Sequence, residues 1–295
     1  IIYNEKQQKA VSLAGSGQSF VLIGAAGTGK TTCQKGGVQQ LILSGRAGIL
    51  DAKDHKHLIS KTPGIVVVAY TRRAVANIRL NMPEDMKNNC ITIHKLLEYQ
   101  PVYYDVDDPV TGEMKTKMVF EATRHEGNPL PETIHTIIFE ESSMVGTDLY
   151  KEVKNAFAHS VQEIFLGDIQ QLPPVFGPAI LGFKLLELPV VELTEVYRQA
   201  LESPIISLAH RILSGIPLPA SDFPQWKVPG KLTIHPWKKK IEAHAALNTA
   251  GMFFKAAYDN GAYDPDEDII LLPFNKAFGT EELNKIIACH LAHKH

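Results

Sequence analysis

Gly24-Ala25-Ala26-Gly27-Thr28-Gly29-Lys30-Thr31 fits the pattern G-x-x-x-x-G-K-[ST]. An apolar run, Phe20-Val21-Leu22-Ile23, precedes it, and residues able to open a helix follow it. The order predicts a buried strand, a tight loop and a helix, the context in which this pattern cradles phosphate. Glycines let backbone N–H groups close around phosphate oxygens where a Cβ would intrude. The helix N-terminus adds favourable partial charge for an anion. Lys30 is placed to reach the β- and γ-phosphates of a nucleotide, and the Thr31 hydroxyl to ligate Mg²⁺.

The chain has 295 residues, enough for two domains with proper cores. Its net charge of −2 excludes a global basic field, so any nucleic-acid site must be a local groove. Cys33, Cys90 and Cys289 are far apart, without metal-ligand spacing, and read as reduced thiols of a cytoplasmic protein. No apolar run approaches the roughly 18 residues needed to span a bilayer, so no membrane partner is expected. The first residue is Ile1 rather than Met, which suggests a trimmed chain.

Outward from the loop, a short helix is expected near Asn4–Val11 and another over 32–43, weakened by Gly36 and Gly37 by about 1 kcal/mol each. Further apolar strands are read at Ile65–Ala69, Cys90–Thr92, Thr136–Phe139, Ile164–Leu166 and Val190–Leu193, with helices between them. Strands alternating with helices predict a parallel sheet covered on both faces, with ligands at the carboxyl ends of the strands. Thr71, Arg72, Thr92 and His94 follow such ends. Residues 101–130 break the rhythm. Two extended segments around Asp107–Gly112 read as an inserted hairpin, either a solvated decoration or a projecting working element. Beyond 200 come a helix over 205–213, a Pro-rich stretch, strands at 231–234 and 268–272, and helices over 239–258 and 280–291.

Glu140-Glu141 at a strand end suit a hydrolysing Mg-nucleotide site, one carboxylate assisting the metal and the other orienting water. Gln171, after the next strand, could contact both γ-phosphate and nucleic acid, or be a turn residue held by Pro173 and Pro174. Arg198 could complete the γ-phosphate shell or make a surface ion pair. His290 and His293 read as part of a frayed chain end rather than a metal site.

Taken in order, these segments resemble the superfamily 1 (1B) DNA helicases, specifically the RecD/Dda-like branch of phage type. Gln7 with Ala10 looks like an adenine-reading Q motif, and Gly24–Thr31 is similar to motif I. Tyr70–Ala74 and Thr92–His94 resemble the DNA-contacting motifs that follow. Glu140–Met144 resembles motif II, Gly167–Val175 motif III and Leu193–Gln199 motif IV. Glu140 stands where that family usually has Asp, which puts direct metal ligation against a water-mediated contact.

The resemblance implies an α/β fold: a RecA-like P-loop NTPase with a parallel sheet, an inserted β-hairpin and a second, incomplete RecA-like domain. Residues 1–100 and 131–199 would form the first domain with its ATP site, 101–130 the hairpin or pin, and 200–295 the start of the second. It implies ATP and Mg²⁺ as cofactors. Lys30, Glu140, Glu141, Gln171 and Arg198 would be catalytic. Gln7, Gly24, Ala25, Ala26, Gly27, Thr28, Gly29, Lys30, Thr31, Thr32 and Tyr197 would hold the nucleotide, and Thr31 and Glu140 the metal. Thr71, Arg72, Thr92 and His94 would meet DNA, with Pro109 and Val110 as the apolar wedge of the pin. Tyr103 and Phe120 could stack on bases or pack the hairpin onto the domain.

The implied activity is ATP-dependent 5′→3′ translocation of a monomer on single-stranded DNA, with unwinding of duplex or forked DNA. The setting would be replication, repair or recombination, with replication or recombination proteins as further partners, and in a host cytoplasm if the chain is phage-encoded. Nothing after Asn275 resembles the later motifs of that family, which implies a truncated chain or a short member. The alternative is therefore a truncated module that binds ATP and single strands without turnover.

Overall fold

The computed structural model describes residues 2–46, 64–107, 114–196, 203–216, 243–264, 268, 270–272 and 279–292. Helix α1 (Glu5–Ser16) starts in a capping box between Asn4 and Gln7 and ends at Gly17, whose φ is 81°. Strand β1 (Phe20–Gly24) leads through the Gly-rich loop into α2 (Lys30–Leu43). Gly36 and Gly37 weaken α2 locally, and the packing explains them. A Cβ on Gly37 would stand 3.2 Å from that of Ala14, and one on Gly36 would meet Val11. The two helices therefore approach more closely than side chains would allow.

Strands β2 (Gly64–Ala69) and β3 (Cys90–Thr92) follow, with α3 (Arg72–Asn81) between them and the short α4 (Ile93–Leu96) after β3. Strands β4 (Gln100–Asp107) and β5 (Met114–Glu121) pair antiparallel in a sheet of their own, as expected of an insertion. The chain then adds β6 (Ile134–Glu140), α5 (Thr147–Asn155), β7 (Gln162–Gly167), α6 (Ile180–Glu187) and β8 (Val190–Leu193). Helix α6 was not anticipated: its Ile-Leu-Gly-Phe-Lys-Leu-Leu stretch lies between prolines and shows no polar cap.

The six long-range strands pair in the order β3-β2-β6-β7-β1-β8, all parallel. Alternate residues feed opposite faces, as strand geometry requires. Phe20, Leu22, Ile65, Val67, Ile138, Ile164 and Leu166 pack beneath α1, α2 and α3. Val21, Val66, Val68, Ile137, Phe139 and Phe165 pack beneath α4, α5 and α6. Phe139 and Phe165 stack at 4.8 Å between centroids. Register brings the carboxyl ends level: Gly24 faces Leu193, Ile23 faces Gly167, and Ala69 faces both Glu140 and Thr92.

Two compact units divide the chain, Ile1–Pro217 and Leu218–His295. The first includes α7 (Pro204–Leu213). In the second, α8 (Ala243–Asp259) and α9 (Thr280–Ala292) bury Leu247, Phe254 and Leu283. The strand expected at 231–234 lies outside the described residues, and the described residues of 268–272 form no strand. Leu271, 81% exposed, has none of the burial that an apolar strand needs. Among the described residues no helix is long and apolar enough to cross a membrane.

Candidate nucleotide cleft and nucleic-acid groove

The loop after β1 takes its shape from Gly27 and Gly29, whose φ values of 82° and 91° lie in the left-handed region. A Cβ on Gly24 would stand 2.9 Å from the Leu193 carbonyl oxygen. Thr28 is buried and its hydroxyl donates to the Ala25 carbonyl at 2.8 Å, closing the loop on itself. The Lys30 ammonium turns into the concavity and donates to the carbonyls of Gly24 at 2.5 Å and Ala25 at 3.1 Å. Burial lowers its pKa, and the charges of Asp168 and Glu140 oppose that shift. Lys30 opens α2, so the first N–H groups of this helix have no intrahelical acceptor.

Lys30 and Thr31, at the end of the loop, line a cleft of about 210 Å³ with Glu140, Glu141 and Gln171, and with Gln34, Asn77 and Asn81 beside them. Gly24, Ala25 and Thr28 line a separate cavity of about 330 Å³ together with Asp168, Leu193 and Thr194. Three strands converge at the cleft because β7, ending at Gly167, lies between β1 and β6. Glu140 has a pKa raised to about 7 by burial and by the charge of Glu141, against the Glu141 backbone N–H and Lys30. That N–H donates to Glu140 Oε2 at 3.2 Å. Glu141 holds a left-handed backbone, φ 50° and ψ 42°, uncommon for a residue with a Cβ. Such outliers persist where the surroundings over-determine them. Here the Ser142 hydroxyl donates to the Leu166 carbonyl at 2.8 Å, tying the turn after β6 to the end of β7. Asp168 Oδ1 accepts from the Gln170 N–H at 3.0 Å and sets the turn that carries Gln171.

The end of the loop and the cleft beside it suit a nucleotide phosphate chain: a Gly-shaped loop backbone, one lysine and a helix start, with the carboxylates in the cleft. The cleft also offers oxygen donors for a hard divalent cation in Thr31 and Glu140. Of the expected nucleotide residues, Gln7 lies apart. It is buried, its Oε1 accepts the Asn4 N–H at 3.1 Å inside the capping box, its Nε2 has no hydrogen-bond partner, and like residues 24–29 and Thr32 it is not among the residues lining this cleft. Tyr197 and Arg198 lie outside the described residues, as do Pro109 and Val110.

A second groove, about 640 Å³, runs past the ends of β2 and β3 to the base of the hairpin. Arg72, Thr92 and His94 line it, together with Lys95, Tyr99 and Phe120. Thr71 is not among its lining residues: its hydroxyl caps α3 by accepting the Ala74 N–H at 3.1 Å. Thr92 caps α4 in the same way through the Lys95 N–H at 3.2 Å, so its hydroxyl has a structural partner too. His94 stands edge-on between Tyr70 at 5.5 Å and Tyr99 at 4.9 Å, and burial lowers its pKa against the charge of Glu152. Phe120 reaches the groove from the hairpin, whereas Tyr103 is exposed and lines neither site.

Sequence reasoning missed Gln34, Asn77 and Asn81. The signal was present: Gln34 stands four residues after Lys30 and Asn81 four after Asn77, one helical face each. It also missed Lys95 and Tyr99, which follow His94 on the turn that enters the hairpin.

Sheet order, loop and acidic strand end together define a P-loop nucleotide-binding domain of the RecA-like α/β type. A family model described as AAA domain matches residues 7–177, and the chain belongs to that family. The chain is 28% identical over 217 residues to the ATP-dependent RecD2 DNA helicase of Deinococcus radiodurans, covering 72% of this chain and 24% of that protein. Among solved structures, the Pif1 helicase of Candida albicans aligns with a TM-score of 0.50 at 19% identity, over 87% of this chain and 55% of that one. Pif1 helicase from Bacteroides in complex with ADP-AlF3 and ssDNA gives a TM-score of 0.47 at 17% identity, over 92% and 58%. The chain thus spans about a quarter of its curated relative and about half of these structures. These matches bear out the resemblance to RecD-like superfamily 1B proteins and the RecA-like fold.

Proposed function

We propose that this chain is the ATP-binding part of a DNA helicase that couples ATP hydrolysis to 5′→3′ movement on single-stranded DNA and so to duplex unwinding. One observation carries the reading: Lys30, Thr31, Glu140, Glu141 and Gln171, from three separate strand ends, share one cleft. A groove with cations and aromatic rings lies on the same sheet edge. A bound Mg–ATP would supply a phosphoanhydride whose cleavage is favourable and whose charge changes on hydrolysis. Lys30 would exchange its two carbonyl acceptors for phosphate oxygens. Thr31 and Glu140 would hold the cation, Glu140 ionising as the cation arrives. Glu141 would orient the attacking water and take up its proton, its carboxylate fixed by the strained turn. Gln171 would join the phosphate end to the strand.

In the groove, Arg72 and Lys95 would neutralise phosphates, and Tyr99 and Phe120 would offer faces to unstacked bases. Thr71 and Thr92 would act chiefly by holding the helix starts that aim these residues. The hairpin would be the pin that parts the duplex. Residues 200–295 would begin a second RecA-like domain. Duplex and forked DNA are the proposed substrates.

Strand displacement on partial duplexes with only a 5′ or only a 3′ single-stranded tail tests the reading in the protein that carries this chain. Displacement should require ATP and a 5′ tail. Preference for a 3′ tail would overturn the polarity, and ATP-independent or absent displacement on both would overturn unwinding itself.

A further inference from the structure

Gln34 is 4% exposed, and its side-chain Nε2 is buried without a hydrogen-bond partner. Its surroundings are of two kinds. On one side lie apolar core residues, among them Ala10, Phe20, Leu22 and Ile138. On the other lies the cleft that holds Lys30, Thr31 and Glu140. A buried amide N–H without a partner is destabilising, and an apolar side chain at this position would remove that cost. Helical side chains lean toward the preceding turn, so Gln34 covers the turn that carries Lys30 and Thr31. An orphaned donor on this boundary therefore lies beside the place where a metal–nucleotide would sit.

We propose that Gln34 is a positioning residue for the metal end of the nucleotide: its amide N–H donates to an oxygen ligand of the nucleotide-bound divalent cation. The proposal rests on the nucleotide reading of the cleft. It goes beyond that reading by assigning a metal-linked role to a residue whose side-chain Nε2 has no hydrogen-bond partner in the free protein. The amide gains its partner only when cation and nucleotide arrive together, so its contribution depends on the cation. A contact to a phosphate alone would not.

Calorimetric titration with ADP, with and without Mg²⁺, separates the cases in wild type, Gln34→Met and Gln34→Leu, alongside thermal melting of each free protein. Both variants should bind Mg–ADP about tenfold more weakly, the scale of one lost hydrogen bond to a charged group. Both should keep the wild-type affinity for metal-free ADP and melt no lower than wild type. Equal Mg–ADP affinity in wild type and both variants would overturn the proposal. So would parallel loss with and without metal, or a lowered melting temperature with unchanged affinity. Wild type failing to bind ADP under either condition would instead sink the nucleotide reading.

Discussion

Strands β2 and β4 sit in opposite surroundings. Every residue of β2 is buried, whereas β4 is exposed along nearly its whole length. Both pair well, β2 with two parallel neighbours and β4 with β5 alone. The difference lies in what covers the faces. The six-stranded sheet is packed above and below, so its side chains fix one register and hold the strand ends level. The hairpin leaves Tyr103, Tyr104, Met114, Met118 and Phe120 largely in solvent. Among the described residues its base is tied down by the Arg124–Glu98 ion pair at 2.9 Å and the bonds of Thr123 and Arg124 to the Leu97 carbonyl. One region spends its apolar residues on precision at the cleft; the other keeps them available for contact.

Substitutions should separate the two regions. Phe139→Ala, which removes the ring stacked on Phe165 in the core, is expected to cost about 3–5 kcal/mol in urea unfolding. A cost no greater than that of a hairpin substitution would break the contrast.

Glu140 gives the sheet edge a pH signature. Its folded pKa lies above its ordinary value of 4.5, at about 7, so between these values the folded protein holds a proton that the unfolded chain has released. In the free protein, stability from this group is complete below the lower value and falls as pH rises toward the upper one. The slope is at most about 1.4 kcal/mol per pH unit. Glu140→Gln should flatten that slope and be the more stable protein at pH 8, as read by denaturation at pH 5 and pH 8. Identical slopes would show that burial at this strand end does not hold the proton.

On the other side of the comparison, Phe120→Ala should leave unfolding nearly unchanged, since the ring is 55% exposed. It should weaken binding to a fluorescent single strand by about 1–3 kcal/mol, the worth of one base stack. Unaltered affinity would remove the hairpin base from the groove's function. Smallest of all, Tyr103→Ala should shift stability by no more than about 0.5 kcal/mol and leave strand affinity unchanged. A loss like that of Phe120→Ala would extend the working surface along the hairpin.

Much of this architecture was legible because its signals are local. The apolar runs before Gly24, Tyr70, Glu140 and Gly167 announced buried strands, and the loop pattern announced its own conformation. The hairpin was visible as extended segments around a turn. What stayed hidden depends on contacts distant in sequence. The capping-box bonds between Gln7 and Asn4 show only once the start of the helix is folded. Thr71 and Thr92 read as groove residues, yet Thr71 is not among the groove's lining residues, and both hydroxyls cap helix starts. Gln34, Asn77 and Asn81 look like ordinary helical polar residues until the fold brings α2 and α3 to opposite walls of one cleft.

The central claim is that the cleft hydrolyses ATP in response to a strand in the groove. Phosphate release from ATP, measured with and without single-stranded DNA in the protein that carries this chain, tests it most directly. Wild type should be stimulated by the strand, and Lys30→Ala should lose about 10²–10³ of the rate while remaining folded. A rate indifferent to both the strand and the lysine would contradict the account.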